Sequence, residues 1–330
     1  MRYLPLLFLS LLLLSSCQKE EKSYALDLPP GFPEVDLPED NLPTPLRVEL
    51  GKRLFFDPIL SRDSSISCGS CHFRRLGFAD DRVISPGIEG RLGFRNAPIL
   101  TNLIYRENFF FDGGVPNLEL QVVAPVEDEN EMDFHLGGVV ERLARHPEYA
   151  ALLEKAYPGK PLTFAFTRAI ASYERTLLTG QSAFDHYYYQ GDSNALDSQE
   201  KRGWQLFQDK GCRDCHSGPN FSNEEFVNIG LYADYDYNGD PGRRRVTALD
   251  SDIGKFKVPS LRNIALTAPY MHDGSMQSLE EVVDFFASGG KAHFNKSPQM
   301  QAFTLSAQEK ADLIAFLESL TDWEFVQGTD

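Results

Sequence analysis

The chain has 330 residues, enough for two domains of ordinary size, and its 42% apolar content is that of a chain with packed cores. With 32 basic against 48 acidic side chains the formal charge is −16, which excludes the basic footprint of a nucleic-acid-binding protein. An acidic surface can steer a basic redox partner or serve solubility alone, so charge decides nothing further.

In chain order, residues 1–16 read as a secretion leader: Met1-Arg2-Tyr3 is a short basic start, and Leu4 to Leu14 is apolar but too short to span a bilayer. Leu14-Ser15-Ser16-Cys17 follows, placing Cys17 where a bacterial lipoprotein carries its lipidated cysteine. Removing the leader takes one Arg, leaving 31 basic residues and a charge of −17. Residues 17–42 are rich in Pro, Glu and Asp and read as a flexible tether. The expected location is therefore outside the cytoplasm, on the periplasmic side, with only a lipid in the membrane.

Two domains are expected after that, 43–192 and 193–330, divided near the polar stretch Gly191-Asp192-Ser193-Asn194. Each carries one copy of a motif. Cys68-Gly-Ser-Cys71-His72 and Cys212-Arg-Asp-Cys215-His216 both have the C-x-x-C-H spacing that attaches a c-type haem. The two thiols reach the two vinyl groups on one edge of the porphyrin, and the histidine beneath the ring donates a nitrogen to iron. A lone C-x-x-C fits a redox dithiol or half a zinc site equally well. Two copies, each followed by His in a chain whose fifth cysteine is Cys17, point to two haems and leave no disulfide.

Each motif has a similar lead-in, Gly51-Lys-Arg-Leu54-Phe55-Phe56-Asp57 and Gly203-Trp-Gln-Leu206-Phe207-Gln-Asp209. Both read as the end of an amphipathic helix pointing Leu-Phe into a core, so the chain echoes itself. Elsewhere helical spacing dominates. Phe166, Ile170, Tyr173 and Leu177 form one stripe on a helix expected over 163–190. Ser278 with Glu281 and Ser306 with Glu309 open two more helices as capping boxes. Long loops at 84–117 and 228–276 are of the kind that serves a site, and no alternating strands stand out. The fold class expected is mainly α: two cytochrome c-like domains, each with one covalently bound haem, and long loops around the haems.

Around the two haem motifs, further motifs occur in a set order. They are Leu60-Ser61, Gly93-Phe-Arg95-Asn96-Ala-Pro98, Phe111-Asp112-Gly113, Gln121 with Pro125 and Glu131-Met132, Phe184-Asp185, Val258-Pro-Ser-Leu-Arg262-Asn263 and Thr267-Ala-Pro269-Tyr-Met-His272-Asp-Gly274. In these the chain resembles the bacterial di-haem cytochrome c peroxidases and their MauG-type relatives, from about Pro43 to Thr321. The resemblance implies that the first haem, on His72, is the peroxidatic one. Glu131 would be its acid–base catalyst, with Gln121 and Pro125 also in the distal pocket. The haem on His216 would take in electrons. Asn96, Thr267 and Pro269 would hold a calcium ion, the last two through carbonyls. Arg262 would meet a haem propionate, and His272 would be structural. His135, His146, His186 and Tyr187-Tyr188-Tyr189 read as ordinary exposed or core residues.

The resemblance implies an enzyme that reduces hydrogen peroxide to water with electrons from a small donor such as cytochrome c, and it allows a homodimer. A MauG-like oxidase of a protein or organic substrate is the next reading, and a di-haem electron carrier without catalysis the third. Three departures bear on the choice. Ile88 stands where the family's peroxidases carry a loop histidine that closes the first haem, with Glu89 beside it. Phe286 stands where relatives carry a Met or Tyr ligand to the second haem, leaving Met271, Met276 and His293 as substitutes. Phe111 replaces the tryptophan between the haems and cannot serve as a hopping site.

Overall fold

The computed structural model of the chain describes residues 23–236 and 239–329. The leader and Cys17 lie outside them. The described residues are mainly helical, as expected, with one short antiparallel ladder, Phe226–Val227 against Phe256–Lys257. None of their helices is long and apolar enough to cross a membrane.

The two lead-ins fold alike. Thr44 caps the helix Pro45–Phe56 by accepting from the Arg47 N–H, and Pro45 fills the first turn, where its missing N–H has no intrahelical partner to lose. Asp197 caps Ser198–Asp209 in a reciprocal box with Glu200. Each helix crosses a later one: Pro45–Phe56 packs on Leu162–Glu174, and Ser198–Asp209 on Ala307–Glu318. A glycine marks each crossing. A Cβ on Gly51 would lie 1.9 Å from the Ala169 carbonyl oxygen, and one on Gly203 1.9 Å from that of Asp312. No side chain fits in either gap, so the first residue of each lead-in is what lets two backbones touch.

Two cores grow from these crossings. The first gathers Leu50, Leu54 and Phe55 with Leu143, Leu153, Phe166 and Ile170. The second is largely aromatic: Phe184 lies 5.0 Å from Trp204 and 5.6 Å from Phe316, and Phe207 lies 5.0 Å from Phe316. Tilted and edge-on ring pairs of this kind contribute about 0.5–1.5 kcal/mol each beyond the area they bury.

Three expectations are corrected here. Residues 23–42 are a strap laid on the body instead of a loose tether. Asn41 is fully buried, donating to Glu119 at 2.8 Å and accepting from the Tyr157 and Ser172 hydroxyls, both at 3.0 Å. Phe32 packs against Tyr105 with ring centroids 5.4 Å apart. Proline-rich chain of this kind holds an extended shape that packing can use, and composition alone reads it as linker.

The helix expected over 163–190 is two helices, Leu162–Glu174 and Ala183–Tyr188. Between them the Asp322 carboxylate accepts from Thr179 Oγ1 and from the N–H groups of Gly180 and Gln181, at 3.0, 2.9 and 2.9 Å. Ser182 then opens the second helix in a box with Asp185. Finally, the halves exchange material across the expected boundary. Phe184 belongs to the second core, while Phe325 packs on Phe78 of the first half, centroids 6.0 Å apart.

Candidate haem sites and active site

Both attachment motifs are built in the same way. Cys68–Ser70 and Cys212–Asp214 are single 3-10 turns that follow the lead-in helices. All four thiols are free, with no disulfide among the described residues. His72 Nδ1 lies 2.8 Å from the Phe78 carbonyl oxygen, and His216 Nδ1 lies 3.0 Å from that of Phe221. Phe78 and Phe221 each sit in a left-handed turn, with φ of 61° and 49°. A ring nitrogen that donates to a carbonyl fixes the tautomer and leaves Nε2 as a lone-pair donor to iron. Burial lowers the pKa of both imidazoles, which keeps them in that neutral, ligating form.

A cavity of about 320 Å³ opens beside the second motif and reaches into the first half. Cys212, Cys215 and His216 line it with Phe286, Val283 and Leu317. Gln121, Phe110 and Ala79 line its far end, the last next to Phe78. Arg106 and Lys257 line it too. Arg106 Nε and Nη2 are buried with no partner, and burial lowers the guanidinium's pKa with only the charge of Glu224 acting against it. A buried cation left without an anion is costly. An apolar slot with an orphan guanidinium at its wall fits a porphyrin bearing propionates.

Arg262, the propionate partner expected from the sequence, lies elsewhere. It is fully buried, donates to Asp185 at 2.5 Å and to the Pro219 carbonyl through Nε at 2.8 Å, and stacks 5.0 Å from Phe32. Its guanidinium is held by protein partners and does not line the cavity. Arg106 was missed because a lone Arg in a loop carries no signal until tertiary packing buries it.

The residues expected in the first haem's distal pocket come from one compact stretch. Asn117 caps the short helix Leu118–Gln121, and Val123–Glu127 follows it. Pro125 and Glu131 are joined by the turn in which Met132 N–H donates to the Pro125 carbonyl at 3.1 Å. The Glu131 side chain faces open space and so keeps an accessible surface. Protein nevertheless surrounds it closely enough that desolvation, with the charge of Asp128 second, pushes its carboxyl up to about 7.

Ile88 is fully buried beneath this stretch, and its N–H donates to the Glu131 carbonyl at 2.8 Å. Gly87 is needed there, since a Cβ would lie 2.0 Å from the Asn130 carbonyl oxygen. Glu89, the neighbour that could replace a histidine ligand, points outward to Arg62 and Arg91 at 2.7 and 2.5 Å.

Asn96, Thr267 and Pro269 line the cavity together. Asn96 Nδ2 donates to the carbonyls of Arg82 and Val83 at 3.0 and 3.2 Å, which turns Oδ1 the other way. Phe111 lines the same space. Nearby, Arg95 joins Asp112 at 2.7 Å and Asp240 through two bonds at 2.8 and 2.9 Å. His272 stacks on Phe256 at 3.8 Å and faces Asp240 at 3.7 Å. It is a packing residue in this network, as expected. His135 and His146 turn out to cap helices, accepting from Gly138 and Tyr149 N–H.

On the second motif's open side, Phe286 lines the cavity. Of the three substitutes, His293 points into Asn228 and Asn295, with Nδ1 3.1 and 2.6 Å from them. Met276 packs in the second core. Met271 lines the cavity, and so does Met300, which the sequence reading did not single out.

Comparison with known proteins agrees with this architecture. The Di-haem cytochrome c peroxidase family matches residues 45–194, and the Cytochrome c family matches residues 200–321. The chain is 40% identical to the methylamine utilization protein MauG of Methylorubrum extorquens over 87% of this chain and 81% of that protein. It is 39% identical to cytochrome c551 peroxidase of Pseudomonas aeruginosa over 83% and 78%. Among solved structures, a MauG-like protein associated with microbial copper homeostasis superposes with a TM-score of 0.86 at 33% identity, covering 93% of this chain and 98% of that one. With two C-x-x-C-H turns, two matching helix crossings and relatives of this similarity, the chain belongs to the di-haem cytochrome c peroxidase and MauG family and carries two c-type haems.

Proposed function

We propose that this peroxidase-family oxidoreductase reduces hydrogen peroxide to water, taking two electrons from a small donor such as cytochrome c and two protons from solvent. When bound, the haem on His72 supplies the iron at which peroxide is reduced, and the haem on His216 receives the donor's electrons. Cleaving the O–O bond requires a proton to leave one peroxide oxygen and arrive on the other. Glu131 can do both from one position, because a carboxyl near 7 is part-ionised at neutral pH and so is ready to accept and to donate. That carboxyl is the observation that carries the reading. Gln121 and Pro125 would stand with it in the distal pocket, and Arg106 would hold a propionate.

Ile88 supports a first site that starts open. Its side chain has no donor atom, and Glu89 is tied outward to two arginines, so the enzyme is expected to act without prior reduction. Asn96 Oδ1 with the Thr267 and Pro269 carbonyls would supply the oxygens for a calcium ion completed by water. A lipid on Cys17 would hold the chain at the periplasmic face of a membrane, a reading that rests on the leader sequence alone. The MauG-like alternative has similarity on its side, but Phe111 and Phe286 stand where that chemistry needs a readily oxidised Trp and Tyr.

The test is donor oxidation by the as-purified ferric holoprotein given hydrogen peroxide and reduced cytochrome c. Glu131→Gln should lower kcat/KM for peroxide by about 10²–10⁴. The wild-type rate should rise with pH up to about 7 and then level, since only the ionised carboxyl accepts the proton, and the variant should lose that limb. A variant as fast as wild type would end this assignment.

A further inference from the structure

On its proximal side the second haem site is complete, with His216 held by the Phe221 carbonyl. On the other side, Phe286 offers iron no donor atom. We propose that Met300 supplies the sixth ligand of the haem bound by Cys212, Cys215 and His216, through its thioether sulfur. The proposal rests on the assignment of a haem to that motif.

Position argues for it first. Met300 is buried and lines the cavity together with His216 and Phe286. Its segment is tied to the cavity wall on both flanks. Gln299 Oε1 lies 3.4 Å from Cys215 Sγ, at the attachment edge. Phe303 N–H donates to the Ala287 carbonyl at 2.9 Å, one residue from Phe286. Ser297 N–H anchors the start of the segment to the Asn228 carbonyl at 2.8 Å. Met300 is thus bracketed between the thioether edge and the end of the helix Leu279–Ser288. The ligand has moved from that helix to the loop that follows it.

The competing donors are otherwise engaged. His293 is bonded to two asparagines and lies outside the cavity lining. His272 is stacked on Phe256. Lys257 is paired with Glu224 at 2.9 Å. Met271 does line the cavity, but the carbonyl of its neighbour His272 is pinned by the Asn96 N–H at 2.8 Å, which ties this stretch to the Asn96 loop of the first half.

Chemistry agrees with position. A thioether can be buried without losing a hydrogen bond, and methionine's unbranched chain lets the sulfur adjust within an apolar pocket. Methionine opposite histidine also raises the potential of a c-type haem, which suits a site that accepts electrons from a donor.

The experiment uses the intact holoprotein. The ferric spectrum should show the far-red charge-transfer band of methionine sulfur bound to haem iron. Met300→Ala should abolish the band and shift the second haem's redox equilibrium at least about a hundredfold toward the oxidised form, or about 120 mV for one electron. Met300→His should remain six-coordinate without the band, showing that the domain is still folded. Met271→Ala should keep the band. Persistence of the band in Met300→Ala, its loss in Met271→Ala, or a five-coordinate second haem in the wild type would each overturn the proposal. A haem count by pyridine haemochrome separates the two levels of failure. One haem per chain would remove the underlying assignment, whereas two haems without the band would remove only Met300.

Discussion

His72 and His216 are presented by the same device: a 3-10 turn of cysteines, a glycine-backed helix crossing before it, and a phenylalanine carbonyl in a left-handed turn that holds Nδ1. Away from the attachment turns the two halves part. The first half places a carboxyl of raised pKa and a fully buried isoleucine there, while the second places Phe286 and two methionines at the wall of an apolar cavity. One half keeps a polar group that can carry protons, and the other presents mainly soft and hydrocarbon contacts. On the proposed reading, one attachment scaffold is divided between chemistry and electron entry: the proximal side is repeated, and the distal side would set the task.

The comparison can be broken most sharply at Ile88. Ile88→His should give the first haem a sixth ligand, so that turnover by the as-purified enzyme falls at least about a hundredfold, on the scale of a catalytic position lost. Turnover should return on pre-reduction with one electron equivalent. Steady-state rates with and without that step check it. Two low-spin, six-coordinate haems in the wild-type ferric protein would show that the first half is closed already.

The repeated scaffold can be tested at its glycines. Gly51→Ala and Gly203→Ala each drive a methyl group to 1.9 Å from a carbonyl oxygen. Each should destabilise its half by at least about 3 kcal/mol, in the upper range for a point substitution. Thermal unfolding followed at the haem absorbance reads the effect, and a mild outcome at either site would mean that the two crossings are not equivalent.

The smallest effect is expected at Arg106. Arg106→Gln removes a buried positive charge from the cavity wall, and a positive charge favours the reduced form of a nearby haem. The second haem's midpoint potential should fall by roughly 60 mV, a tenfold shift in its redox equilibrium, as read by redox titration. An unchanged potential would place the propionates elsewhere.

The sequence by itself determined the covalent chemistry, because attachment depends on residues three and four apart that no folding can rearrange. Cys68, Cys71 and His72, and Cys212, Cys215 and His216, were legible for that reason, as was the echo of Gly51 and Gly203. Glu131 was legible only through its spacing to Gln121 and Pro125 in related sequences, since within Glu127-Asp128-Glu129-Asn130-Glu131 nothing local distinguishes it. Tertiary structure alone decided the rest. It took Arg262 into an ion pair with Asp185 and left Arg106 as the buried cation. It carried Phe184 and Phe325 across the apparent domain boundary, turned His293 away and brought Met300 to the cavity. Burial and charge compensation are properties of neighbours brought together from distant parts of the chain, and local spacing carries no record of them.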